Sequence, residues 1–486
     1  MSLCDKDLIS MQEARTLARK AKTAQAILAS FNEEQIEKIL KNMVKVASEN
    51  AVKLAEMAVE ETGFGKVKDK TIKNRFASVE LYESIKDMKT IGIIKEDKEK
   101  RVIEIAEPAG VLMGIIPSTN PTSTTIYKSI ISMKSRNGIV FSPHPSALKC
   151  TSEAARLMGE AAVQAGAPEG IIGCISKPSM QGTNELMKAK EIAMIIATGG
   201  SAMVKAAYSA GKPALGVGPG NVPAFIEKTA NVKKAVKNII ASQNFDYGTI
   251  CASEQSIVVE ACIKDEVIEE LKKQGAYFMS KEEIDIVSKA LFTKEFAMNA
   301  QFVGRSPKEI AEKTGLKIPH GTTVLIGEQK GVGKDYPLSY EKLTTVLAFY
   351  TVEDWKEACE LCIKLLNNGG VGHSISIHTE DDDMVMKFAS KPVFRILVNT
   401  PSALGGVGAV TGLAPSFTLG CGTWGGSSTS DNVTPMHLIN IKRVAYGIKS
   451  VEEVIGSKSE ERENNTQQIE EIVTRVLKAL NKSGEL

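Results

Sequence analysis

Residues 102–143 read VIEIAEPAGVLMGIIPSTNPTSTTIYKSIISMKSRNGIVFSP, and the order of textures within them decides the fold class. β-Branched residues alternate with polar ones after Val102, and the apolar run VLMGII then stops at Pro117. Alternation suits a strand with one wet face, whereas a short unbroken apolar run suits a strand covered on both faces. IYKSIISMKS follows as a helix and NGIVFSP as another buried strand. Further on, TSEAARLMGEAAVQAG (helix), GIIGCIS (strand), another helix and IAMIIATGG (strand) repeat the pattern. Strands alternating with helices in this way imply a parallel sheet of crossover units. A second series begins near Val232: a helix, SIVVE, further helices, TTVLIG, LAFYTV, a helix over Trp355–Leu366, and SISIHT. Two successive series imply two open-sheet α/β domains with a cleft between them. Before them, Leu8 to Lys89 is helical and lysine-rich, and HLINIKRVAYG after Thr434 reads as a returning strand.

Composition narrows the function. With 486 residues the chain is too long for one ordinary core. Its 60 basic residues nearly balance 58 acidic ones, so no strong field points to nucleic acid or an anionic membrane. The start, MSLCDKDLIS, lacks a basic-then-apolar signal, and no run approaches the roughly 20 apolar residues that span a bilayer. Eight cysteines lie scattered without a framework, as reduced thiols of a cytoplasmic protein do.

Of these thiols, Cys251 has the most open setting, in YGTICAS at Tyr247–Ser253. Gly248 and Ala252 leave room for a substrate, and the cysteine sits where a helix gives way to a strand at the cleft edge; the alternative is a small buried hydrophobe. CELC at Cys359–Cys362 falls inside an amphipathic helix with no answering pair, so it reads as core. The five histidines show no metal-ligand spacing, and no metal site is expected. GVGPGN at Gly216–Asn221 and GEQKGVGKD at Gly327–Asp335 are loose matches to nucleotide-binding loops.

In order along the chain, IIPSTNPTST, IVFSPHPSA, ATGGSAMVKAA, GVGPGNVPAFI, YGTICASEQ, EKLTTVLAFY, VGHSISIHT and GTWGGSSTSDNVTP carry a resemblance. From about residue 10 to 450 the chain resembles the aldehyde dehydrogenase superfamily, most closely its CoA-acylating branch, which makes acyl-CoA from short aldehydes such as acetaldehyde or propionaldehyde. The resemblance implies a Rossmann-type domain binding NAD and CoA over residues 1–100 and 109–230, and an α/β catalytic domain over 231–425. Residues 101–108 and 426–455 would form a small β element that makes a dimer or tetramer.

The resemblance also implies roles. Cys251 is the nucleophile, and its backbone N–H and the IIPSTNP loop supply an oxyanion site, through Thr119 or Asn120. His373 handles the proton of the cysteine or of CoA, with a core imidazole as the alternative. Pro117, Ser118, Ser142, His144 and Pro145 line an adenosine slot; the Lys-Pro pair of other members is missing there, which leaves NAD against NADP open. Thr198, Gly199, Gly200 and Ser201 open a helix toward the pyrophosphate, Gly218, Pro219 and Gly220 follow, and Glu341 with Leu343 meets the nicotinamide ribose. Hydrolytic relatives carry a glutamate in Glu-Leu-Gly-Gly, where LGVGPGN places Gly216, and no acidic residue occurs between Gly199 and Ile226. Thiolysis by CoA is therefore expected in place of hydrolysis.

The end of the chain has no counterpart in ordinary aldehyde dehydrogenases. GSKSEERENNT is polar and reads as a flexible linker over 456–466. Over 467–482, apolar residues at 469, 472, 473, 476, 477 and 480 make one helical stripe, with Thr466 as a cap. This resembles the encapsulation peptides of bacterial microcompartment enzymes, which implies a shell protein as partner and the compartment lumen as location; folding back on the body or self-association is the alternative. A hydrolytic aldehyde dehydrogenase and a catalytically idle scaffold are the competing readings of the whole chain.

Overall fold

The run VLMGII forms the strand Val111–Ile116, buried at every position. Gly114 is needed there because a Cβ would stand 2.5 Å from the ring of Phe141 on the neighbouring strand. This is a computed structural model of the protein, and it describes residues 5–293 and 295–483. The described residues fall into two units: one runs to Thr90 and resumes over Pro108–Asn440, and the other joins Ile91–Glu107 to the residues from Ile441 onward.

In the larger unit the first α/β series makes a five-stranded parallel sheet. Its order is Ile172–Cys174, Gly138–Pro143, Val111–Ile116, Ile192–Thr198, Ala214–Val217. The chain starts in the middle, builds one side, then returns to build the other. The strand order therefore reverses between Val111–Ile116 and Ile192–Thr198, and the crevice past their carboxyl ends is where open α/β sheets bind ligands. Ala14, Ala18 and Ala21 let helix Lys6–Leu28 pack closely on Val111, Met113 and Val140 of this sheet.

The second series makes a seven-stranded parallel sheet in the order Ala276–Phe278, Val324–Glu328, Val346–Val352, Glu254–Glu260, Val222–Ile226, Ile375–His378, Ile396–Val398. One face packs on helix Val232–Asn244, while Cys359 and Cys362 of helix Trp355–Asn367 lie in the core of the other, as expected of CELC. The boundary between the two domains falls earlier than expected: Val222–Ile226 belongs to the second sheet, because GPGN at Gly218–Asn221 is all that joins it to Ala214–Val217.

The smaller unit contains a three-stranded sheet ordered Gly92–Asp97, Val102–Pro108, Ile439–Ala445. The strand Gly92–Asp97 was not anticipated, and residues 426–438 belong to the larger unit. The expected linker is also corrected. One helix runs from Val451 to Ser483, with Thr466 inside it and not at its start. SEERE offers the straight-chain charged residues that favour helix, and no proline or glycine lies between Gly456 and Ser483.

Candidate active site

The loops at the sheet crevice enclose a cavity of about 740 Å³. Pro117, Ser118, Thr119 and Asn120 leave the strand Val111–Ile116 into its wall, and Ser142, His144 and Pro145 leave Gly138–Pro143. Thr198, Gly199 and Gly200 end the strand Ile192–Thr198, and Gly218 and Pro219 begin the link to the second sheet. Cys251, Glu341 and Leu343 come from the second domain. Gly220 and His373 do not line the cavity. The side chain of Ser201 lies outside the described residues, although its backbone starts helix Ser201–Tyr208.

Cys251 is half-buried between the turn Asp246–Gly248 and the strand Glu254–Glu260. Asp246 and Tyr247 both take left-handed backbone conformations, with φ of 51° and 54°. Two consecutive such residues that are not glycine cost roughly 1–2 kcal/mol each, so the turn is held by its contacts. Burial pushes the Cys251 thiol up to about 12, with Glu341 and Cys421 adding to the effect; Arg395 and the residue's own backbone N–H pull the other way. The thiol therefore carries its proton at rest.

Glu341 Oε1 accepts the Gly220 N–H at 2.8 Å, and burial raises its carboxyl to about 8. A Cβ at Gly220 would stand 1.8 Å from the Cys251 carbonyl oxygen and 3.2 Å from His373 Cε1. Only glycine allows that approach, which brings GVGPGN against the cysteine loop. His373 is fully buried behind it. Its Nδ1 pairs with Ser374 Oγ at 3.0 Å and its Nε2 has no partner. Burial, with Arg395 nearby, draws the imidazole down to about 3, so it is neutral.

Of the two oxyanion candidates, Asn120 reaches toward the cysteine loop. Its Nδ2 donates to the Thr249 carbonyl at 3.1 Å and to Thr119 Oγ1 at 3.2 Å. Gly216, in the position of the hydrolytic glutamate, has no room for a side chain: a Cβ would lie 2.8 Å from both the Tyr208 ring and a Val204 methyl. Its N–H donates to the Tyr208 hydroxyl at 2.8 Å, and its carbonyl accepts from Ser427 Oγ at 2.8 Å.

Residues 3–339 match the sequence pattern of the aldehyde dehydrogenase family. The chain belongs to this family. It is 46% identical over 442 residues to the bifunctional aldehyde-alcohol dehydrogenase of Escherichia coli, a match covering 90% of this chain and 50% of that protein. The chain thus spans about half the length of the first curated relatives it matches. It is 37% identical to the acetylating succinate-semialdehyde dehydrogenase of Clostridium kluyveri, over 91% of this chain and 98% of that one. Among solved structures, an acetylating aldehyde dehydrogenase from Geobacillus thermoglucosidasius superimposes with a TM-score of 0.91 at 55% identity, covering 92% of this chain and 99% of that one. A propionaldehyde dehydrogenase from the fucose utilisation microcompartment of Clostridium phytofermentans gives 0.81 at 27% identity, covering 90% and 98%.

In this member of the aldehyde dehydrogenase family the crevice fits a dinucleotide. A Cβ at Gly199, Gly200 or Gly218 would meet nothing within 4 Å, so these glycines leave an open cradle. The N-terminus of helix Ser201–Tyr208 opens onto it, and the first N–H groups of a helix suit a pyrophosphate. Ser142 Oγ is already engaged with Thr183 Oγ1 at 2.9 Å, while His144, exposed at the cavity mouth, pairs with Ser146 Oγ at 2.7 Å.

Sequence reading missed Arg395. It is buried, bonded to Asn432 Oδ1 at 2.7 Å and to the carbonyls of His373, Gly420 and Ser430 at 3.1, 2.8 and 3.2 Å. Among the described residues no carboxylate forms an ion pair with it, and it is the cation that favours the Cys251 thiolate. An arginine within the apolar stretch PVFRILV was the available signal.

Proposed function

We propose that this chain is a CoA-acylating aldehyde dehydrogenase that converts a short-chain aldehyde to its acyl-CoA with NAD. The observation that carries the reading is a thiol, Cys251, on the cavity wall, with a glycine packed by Tyr208 and Val204 where a hydrolytic enzyme keeps its water-activating carboxylate. The Cys251 thiol gives its proton to solvent in the cavity and its sulfur adds to the aldehyde carbonyl, and the Cys251 N–H and Asn120 Nδ2–H donate to the oxyanion. Bound NAD supplies the acceptor for the aldehyde hydrogen. Pro117, Ser118 and His144 would flank its adenosine, the Gly199–Gly200 turn its pyrophosphate, and Glu341 its ribose. The acyl group then sits on Cys251 as a thioester, and the CoA thiol displaces it, returning Cys251 as thiolate. His373, neutral and buried beside Gly220, stands off the cavity wall, so the CoA thiol gives its proton to solvent in the cavity.

CoA uses the slot after the reduced cofactor leaves, so the kinetics are ping-pong. Two of the relatives are named as acetylating, and one solved propionaldehyde dehydrogenase from Rhodopseudomonas palustris is described with bound CoA and an acylated cysteine. Ile250 and Val407 belong to the apolar cluster that Cys251 packs on, Phe417 lines the same cavity, and together they favour a small acyl group. A single-turnover experiment tests this reading. Aldehyde and NAD without CoA should give one burst of NADH per site and an intact-mass increase of one acyl group on Cys251. A steady rate with no adduct would contradict it.

The Glu341 carboxyl is protonated below about pH 8 and ionised above it. An ionised carboxylate accepts hydroxyl hydrogen bonds more strongly. NADH binding should therefore tighten as pH rises through about 8, and in Glu341→Gln it should not; fluorescence titration at several pH values measures this.

The helix after Val451 supports the finer reading of location. Ile469, Ile472, Val473, Val476 and Leu477 are all at least half exposed, and this stripe docks on a shell protein inside a microcompartment. The likeness to a microcompartment propionaldehyde dehydrogenase agrees with that. Removing residues 457–486 should leave activity in solution unchanged and end co-purification with shell proteins. Lost activity would instead make the helix part of the enzyme. The small sheet, with Ile93, Ile441 and Val444 exposed, is the surface through which subunits pair into a dimer or tetramer.

A further inference from the structure

Helix Val67–Arg75 carries Lys70 and Lys73, three residues apart on one face and both buried. Each has one grip on Asp246 and another on the loop before helix Pro121–Lys134. Lys70 Nζ donates to Asp246 Oδ2 at 2.9 Å and to the Thr119 carbonyl at 2.9 Å. Lys73 Nζ donates to the same carboxylate oxygen at 2.5 Å, to Asn120 Oδ1 at 2.6 Å and to Thr249 Oγ1 at 3.0 Å. Asp246 also accepts from the Lys66 N–H and from Thr249 Oγ1, both at 2.7 Å, and its own N–H donates to Asp69 Oδ2 at 2.8 Å. One buried carboxylate thus binds the strained turn ahead of Cys251, the helix, and through the lysines the asparagine.

Apolar side chains could join these segments without burying charge. They could not orient an amide. A carboxamide has two orientations of nearly the same shape, with oxygen and nitrogen exchanged. A cation at Oδ1 selects the one that turns Nδ2 to the Thr249 carbonyl, two residues before the thiol. In the other orientation an oxygen lone pair would face the developing oxyanion and an NH2 would face the ammonium. The cation also polarises the amide, strengthening its N–H as a donor. We infer that Lys73, anchored by Asp246, is a positioning residue that locks Asn120 with its Nδ2 toward the cysteine loop, where one N–H exchanges its bond to Thr119 Oγ1 or the Thr249 carbonyl for the oxyanion; this rests on the reading of Asn120 as oxyanion donor.

The test separates oxyanion chemistry from the condition of the thiol. In Lys73→Met, kcat for propionaldehyde oxidation should fall about tenfold or more, with NADH affinity unchanged. Alkylation of Cys251 by iodoacetamide, a displacement that forms no oxyanion, should keep its rate. The double variant Lys73→Met/Asn120→Ala should be no slower than Asn120→Ala alone. Lys73→Arg keeps a cation beside Asp246 with a wider head that cannot hold the same geometry, and gives the same comparison if the methionine variant fails to fold. An unchanged kcat, alkylation falling in step with turnover, or additive losses in the double variant would overturn the inference. A wild-type rate in Asn120→Ala would remove the donor itself and take the inference with it, whereas loss of CoA dependence with these effects intact would overturn only the acyl-CoA reading.

Discussion

Replacing Cys251 with alanine should reduce aldehyde oxidation by about four to six orders of magnitude, the loss seen when a covalent nucleophile is removed. NADH binding should stay as it is. The argument is geometric. Thr198, Gly199, Gly200 and Glu341 sit on other elements than the cysteine loop, so the dinucleotide cradle survives the change. Nothing else described on the cavity wall can form the thioester: Cys421 lies behind the wall, buried, and the remaining polar side chains there are hydroxyls, two amides, an imidazole and one carboxylate. Stopped-flow NADH formation measures the effect. Residual turnover within a hundredfold of the parent would take the nucleophile's role from Cys251.

Asn120→Ala carries the next largest effect. Removing one preorganised oxyanion donor costs about 10²–10³ in kcat, and KM for the aldehyde should change little because the ground-state carbonyl carries little charge. Thr119→Val should cost far less, since the Thr119 hydroxyl accepts from the Asn120 amide and its carbonyl is already bonded to Lys70. A larger loss in Thr119→Val than in Asn120→Ala would place the donor one position earlier, where ungapped spacing against the hydrolytic relatives puts it.

Much of this was legible in the sequence. Buried strands such as Val111–Ile116 announce themselves as apolar runs between glycine and proline, and helix Trp355–Asn367 explained CELC before any coordinate did. Residues that the resemblance put at strand ends, such as Pro117, Ser142 and Thr198, do line the cavity, because the sheet itself places them, whereas Gly220 and His373 do not. What the sequence hid were partners brought together from far apart. Lys70 and Lys73 look like any surface lysines of a basic helix, and only the fold buries them against Asp246, more than 170 positions away. Arg395 was concealed in the same way, since three of its acceptors are backbone carbonyls without side-chain identity and the fourth is Asn432 Oδ1, far along the chain. The linker before the tail failed for a different reason: a polar, charged stretch without apolar anchors fits a solvated helix as well as a coil. The boundary near Val222 slipped because GPGN is too short to look like a junction between sheets.

The central claim is that a thiol, and not water, completes what Cys251 begins. NADH formation from acetaldehyde and from propionaldehyde, with and without CoA, and with the product identified by mass, tests it most directly. The account predicts acyl-CoA as the product and turnover that stops after one equivalent when CoA is left out. Free acid produced at a steady rate without CoA would contradict it, and would mean that Glu341 or another group activates water where Gly216 cannot.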